Sequence, residues 1–175
     1  MKPINIAFIF LDNREKSSRL ISLGDNTFMI HPGWVKKEGR SERFKQYAVD
    51  DHSVCFKVEE PLKSMKWSKF FEQQIDPQLY SQLVFEYTAE RLKAFEDEYT
   101  LWLFDLRGGY GGFTAIPSTQ IIPDGSLHTI HVDLNQFDIK EFIHQIAVQV
   151  YSGEEGNASL TIHRLEFFPK EKDEK

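Results

Sequence analysis

The sequence predicts a mostly β fold, an antiparallel β-sandwich with one or two short helices. Three observations carry that reading. Apolar residues recur at every second position in several short runs, strong turn signals separate the runs, and the chain of 175 residues holds 15 Phe. A period of two sends successive side chains to opposite faces of a strand. Large aromatic rings suit the space between two packed sheets. Strand-like runs outnumber helical ones and do not alternate with them, which favours antiparallel over parallel sheets.

Taken in order, Ile4, Ile6, Phe8 and Phe10 share one parity and read as a first strand. The stretch from Met1 to Leu11 has no small-residue cleavage site and is too short to span a membrane. The expected location is therefore the cytoplasm for a complete chain, or the outside for a module excised from a secreted protein. Residues 27–30 suit a short strand, and residues 53–59 a longer one with Val54, Phe56 and Val58 inward. Residues 64–73 carry Met65, Trp67, Phe70 and Phe71 at a spacing that fits a helical turn. Leu83, Phe85 and Tyr87 mark a strand. Residues 89–98 have helix-forming composition or are a plain connection. Residues 99–106 are apolar on both parities up to Asp105, as in a strand covered on both faces or lining a groove.

Pro123-Asp124-Gly125-Ser126 is a turn. Beyond it Ile130, Val132 and Leu134 oppose Thr129, His131 and Asp133. Residues 138–144 fit a second helical turn, capped by Asp138 and carrying Ile139, Phe142 and Ile143. Ile146, Val148 and Val150 alternate with Gln145, Ala147, Gln149 and Tyr151, and residues 152–157 form a polar turn. In the last strand the apolar phase changes between Leu160, Ile162 and Leu165, Phe167, which predicts a β-bulge near His163 and Arg164. One domain over residues 1–169 is expected, with residues 170–175 as a charged, disordered tail.

A net charge of −6 argues against nucleic acid and against an anionic membrane surface as partners. The basic cluster of Lys36, Lys37, Arg40, Arg43 and Lys45 is broken by Glu38 and Glu42 and reads as a solvated loop. Cys55 is the single cysteine, so no internal disulfide can form. The six His lack metal-ligand spacing: His128 and His131, three apart in a strand, face opposite sides. No nucleophile elbow or phosphate-binding loop is present.

Three stretches carry a family resemblance: IDPQLYSQLVFEYTA at 75–89, IPDGSLHTIHVDL at 122–134 and IAVQVYSGEEGNASLTIHRLEFF at 146–168. Their order resembles the galactose-binding-like β-jelly-roll domains, a group that includes the carbohydrate-binding modules of polysaccharide-degrading enzymes. The resemblance implies a jelly roll, a carbohydrate ligand, no cofactor, and attachment to a larger parent enzyme or another protein partner. In some members an Asp at the bulge of the last strand helps hold a structural calcium. Here His163 stands at that place. Calcium prefers hard oxygen ligands, which an imidazole does not supply.

A sugar-binding surface needs flat rings for the C–H faces of pyranoses and planar polar groups for the hydroxyls. The candidates are Trp102, Asp105, Arg107, Tyr110, His131, Gln149 and Tyr151. Tyr110 stands among Gly108, Gly109, Gly111 and Gly112, where the backbone can approach a ligand closely. Thr129, Asp133 and Gln145 share the polar parities, and Trp34 and Trp67 lie near expected loops. Burial of Trp102 and Tyr110 against the core would count against sugar binding. Two other classes remain. An assembly domain would self-associate over Trp102 and Phe104. A hydrolase or lyase would need a deep pocket with two carboxylates or a perturbed Tyr–His pair.

Overall fold

A computed structural model describes residues 17–31, 37–106 and 113–171. Twelve strands are present among them: β1 (Arg19–Leu20), β2 (Met29–Ile30), β3 (Gly39–Arg40), β4 (Phe44–Asp50), β5 (Ser53–Val58), β6 (Lys63–Ile75), β7 (Tyr80–Glu90), β8 (Tyr99–Asp105), β9 (Phe113–Pro117), β10 (Asp124–Asp133), β11 (Ile143–Tyr151) and β12 (Ala158–Pro169). The helices are two single 3-10 turns, Ser118–Gln120 and Leu134–Gln136.

The strands form two six-stranded sheets. The first runs β10-β7-β12-β5-β4, with β1 also on β12. The second runs β2-β6-β11-β8-β9, with β3 also on β6. Every pairing is antiparallel except that of β3 with β6. The antiparallel sandwich expected from the alternation is therefore present. Alternate residues of both sheets meet in one core, which includes Val54, Phe56 and Val58 from β5, Leu83, Phe85 and Tyr87 from β7, and Ile146, Val148 and Val150 from β11. Each such side chain, fully removed from water, contributes about 1.5–3 kcal/mol.

The register of β12 against β7 shifts between Ile162 and Arg164, so the bulge lies where the phase change put it. Leu160 and Ile162 before it, and Leu165 and Phe167 after it, are all fully buried. The polar turn at residues 152–157 is equally legible. Gly156 has φ of +72°, and an added Cβ would come within 2.7 Å of the Glu59 carbonyl oxygen. Only glycine tolerates both constraints.

Two local expectations are corrected. Residues 64–73 are not helical but belong to β6. Met65, Trp67 and Phe71 point inward together with Lys69, and this charged inward residue hid the period of two. The Lys69 ammonium is satisfied by the Asp25 carboxylate and the Thr27 hydroxyl, each at 2.5 Å. Residues 138–144 form no helix either. Ile143 begins β11 and is paired on both sides, with Ile75 of β6 and Asp105 of β8, and ladder pairing overrides the local helical spacing. The connection after β7 is irregular. The proposed first strand at residues 4–10 lies outside the described residues. Within the basic cluster, β4 starts at Phe44, Lys37 pairs with Asp97 and Lys45 pairs with Glu59. Cys55 is buried on β5.

Candidate functional site: the outward face of the second sheet

Residues of β8 divide by parity. Leu101 and Leu103 enter the central core, whereas Trp102 and Phe104 face outward and form a separate apolar cluster with Ala115 of β9 and Ala147 of β11. Cross-strand register builds this outward face row by row. Ala147 stands between Ser68 of β6 and Trp102, and Trp102 is opposite Ala115. Gln145 stands between Phe70 and Phe104, with Phe104 opposite Phe113. Gln149 is opposite Lys66, and Tyr151 opposite Ser64.

The rings contact one another edge-on or tilted: Tyr99 with Trp102 at 5.8 Å, Tyr99 with Phe113 at 5.9 Å, and Phe104 with Phe113 at 6.3 Å between centroids. The Lys66 ammonium lies 4.0 Å over the Trp102 ring. Burial lowers the pKa of Lys66, and the Glu98 carboxylate partly offsets that effect. His31, whose backbone N–H donates to the Lys66 carbonyl, is also held below its ordinary value, first by burial and then by the Lys66 charge.

At one end the face is closed by the segment between β7 and β8. Phe95 packs edge-on against Tyr151 at 5.1 Å, and the ammonium groups of Lys37 and Lys93 lie 5.2 and 5.0 Å from the centre of the Phe95 ring. Hydrogen bonds to β11 and to Ser118 anchor the segment. The Lys93 N–H donates to the Tyr151 carbonyl, the Phe95 N–H to Ser118 Oγ, and the Ser118 N–H to the Glu98 carbonyl. Beneath it the Tyr151 hydroxyl donates to Glu98 Oε2 at 2.9 Å. Burial and then that carboxylate push the phenol far above its ordinary value, so it stays protonated as a donor.

The structure thus gathers Trp102, Gln149 and Tyr151 on one face. Trp102 is 8% exposed, Gln149 3% and Tyr151 2%. Trp102 is covered by its outward neighbours rather than by the central core. Asp105 ends β8 on the parity of Leu101 and Leu103 and is buried. His131 is exposed on β10 of the other sheet and joins none of these. Arg107, Tyr110 and Trp34 lie outside the described residues, and Trp67 belongs to the core. Lys66, Tyr99, Glu98 and Phe113 were missed. For Lys66 the usable signal was the even parity of Ser64, Lys66, Ser68 and Phe70, which a helical reading of β6 obscures.

The outward face of the first sheet is different. Arg164 bridges Glu86 and Glu166, Ser18 donates to Glu166, and His163 pairs with Thr88. At the bulge, where the calcium-holding members carry an Asp, the His163 imidazole is engaged by the Thr88 hydroxyl. Among the described residues no three His, Cys, Asp or Glu stand close enough to hold a metal ion. No described helix is long and apolar enough to cross a membrane.

Two antiparallel sheets packed face to face in this strand order make the chain a jelly-roll β-sandwich. Among solved structures it is similar to the family 11 carbohydrate-binding module of a cellulosomal cellulase of Clostridium thermocellum, at 10% identity, over 90% of this chain and 98% of that one, with a TM-score of 0.53. It is also similar to a family 11 module from Clostridium thermocellum solved in complex with a β-1,3-1,4-mixed-linked tetrasaccharide, at 9% identity, over 87% of this chain and 95% of that one, with a TM-score of 0.52. The sequence matches no family model and no curated protein.

Proposed function

We propose that the chain is a non-catalytic carbohydrate-binding module and that the outward face of the second sheet receives the glycan. One observation carries the reading: Trp102, Phe104, Tyr99 and Phe113 form an aromatic cluster outside the core, next to the polar groups of Lys66, Gln149 and Gln145. Rings beside amides and an ammonium are the chemistry a pyranose chain requires. The similar fold of two sugar-binding modules supports the reading. A larger carbohydrate-acting protein is the partner it calls for.

The two buried carboxylates at the ends of β8 are too far apart to serve as a glycosidase pair. The buried carboxylates bordering β8, Glu98 and Asp105, are seven residues apart along an extended chain, about 23 Å. Glycosidase pairs work at roughly 5–9.5 Å. The assembly reading would use the same outward face, with Trp102 and Phe104 meeting a second copy, and a homodimer in solution would favour it.

A glycan-array screen of the full chain, with Trp102→Ala, Tyr110→Ala and Arg164→Ala in parallel, tests the proposal. Binding lost in Trp102→Ala and kept in Arg164→Ala is expected, and Tyr110→Ala asks whether the glycine-rich segment takes part. Absence of binding to every glycan at high protein concentration would overturn the reading in favour of protein assembly.

A further inference from the structure

Lys66 and Gln149 are direct cross-strand neighbours on the outward face, close enough for both to reach one small group. Nearby lysines are already engaged: Lys37 with Asp97, Lys93 with Glu38 and Lys69 with Asp25. Lys66 has no ion pair among the described residues. The carboxylate that acts on it electrostatically, Glu98, accepts the Tyr151 hydroxyl. Gln149 is 3% exposed, yet its Nε2 has no hydrogen-bond partner among the described residues. An unmade hydrogen bond on a buried amide is costly, so this N–H donor is poised for an acceptor from outside the chain.

Lys66 also changes what Trp102 can do. An ammonium 4.0 Å over the indole occupies the face on which a sugar ring would stack. The same contact holds the ammonium in place on the strip. The spot therefore offers a cation and an amide N–H, both donors, backed by an aromatic ring. A carboxylate matches it best, because each of its oxygens accepts more than one hydrogen bond and its charge meets that of the lysine.

We propose that this site selects sugars bearing a carboxylate, uronic acids, with Lys66 and Gln149 gripping the carboxyl group. The inference rests on the carbohydrate reading above. The net charge of −6 gives an anionic glycan no long-range attraction, so the selectivity must arise at this spot.

The test is calorimetric titration of the full chain with oligogalacturonate, glucuronoxylan oligosaccharide and alginate oligosaccharide, each beside its methyl ester, and with a neutral mixed-linked β-glucan tetrasaccharide. At least one acid should bind about tenfold more tightly than its own ester, the effect of one charge-assisted hydrogen-bond pair. Lys66→Met should erase that difference and Lys66→Arg should keep it, the latter also showing that the fold tolerates change at this position. Equal binding of acid and ester, or a preference untouched by Lys66→Met, overturns the uronate inference while leaving sugar binding in place. Failure of every sugar to bind overturns both.

Discussion

The outward face of the second sheet is aromatic and largely covered, whereas that of the first sheet is polar and held in ion pairs. On the first sheet Arg164 lies between Glu86 and Glu166, and its donors are spent on those partners. On the second, Lys66 and Gln149 keep donors in reserve above a cluster of rings. Two of the three lysines on β6 repeat the contrast within one strand. Lys69 points inward and is closed off by Asp25 and Thr27, and Lys66 points outward over Trp102. A satisfied charge holds structure together, and an unsatisfied one is open to a ligand.

The largest effect should come from Trp102→Ala. It should cost about 3 kcal/mol in urea unfolding, because a well-packed ring is removed from a cluster that cannot refill the space. It should also abolish glycan retention. Tyr151→Phe should cost about 1–2 kcal/mol, since the hydroxyl bonded to Glu98 is lost from a buried site. Its glycan affinity should stay within a factor of two or so of the parent, because a 1.4 kcal/mol change is needed for tenfold and Phe95 already covers this end of the strip. A tenfold loss of affinity would show instead that Tyr151 touches the ligand.

Arg164→Ala should cost no more than about 1 kcal/mol, the ordinary range for a partly exposed ion pair. It should leave affinity unchanged, and a loss of affinity would transfer the site to the first sheet. The smallest effect is its pH dependence. Burial works to raise the pKa of Glu166, but the hydrogen bonds from Ser18 and Arg164 outweigh it and hold the carboxyl below its ordinary 4.5. A folded-state value below the unfolded one gives stability that is present above pH 4.5 and lost as pH falls through the depressed value. The penalty of Arg164→Ala in thermal melts should therefore shrink between pH 7 and pH 3. A penalty constant over that range would mean that Arg164 acts through packing alone.

Most of the sandwich could be read from the sequence wherever apolar alternation was undisturbed. The inward residues of β5, β7, β11 and β12 follow parity, and the bulge at Ile162 and Arg164 follows from the phase change. β6 was lost because Lys69, buried and paired with residues more than forty positions away, breaks the apolar parity. β4 was lost because it is an edge strand with one exposed side and a charged lead-in. Trp102, Gln149 and Tyr151 were candidates from strand parity and side-chain chemistry, and register places them together on one face. His131 shows the limit of that method: an outward parity does not tell which of two sheets a strand joins. Lys66 was missed because its partner ring is 36 residues away in sequence, on β8, and no local pattern reports a contact of that span.

Cys55, sealed within β5, is the only sulfhydryl in the chain. With no second thiol to pair with, the chain cannot trap itself in scrambled covalent isomers. Its refolding from urea should follow the same course with or without dithiothreitol, leaving noncovalent contacts alone to restore the sandwich.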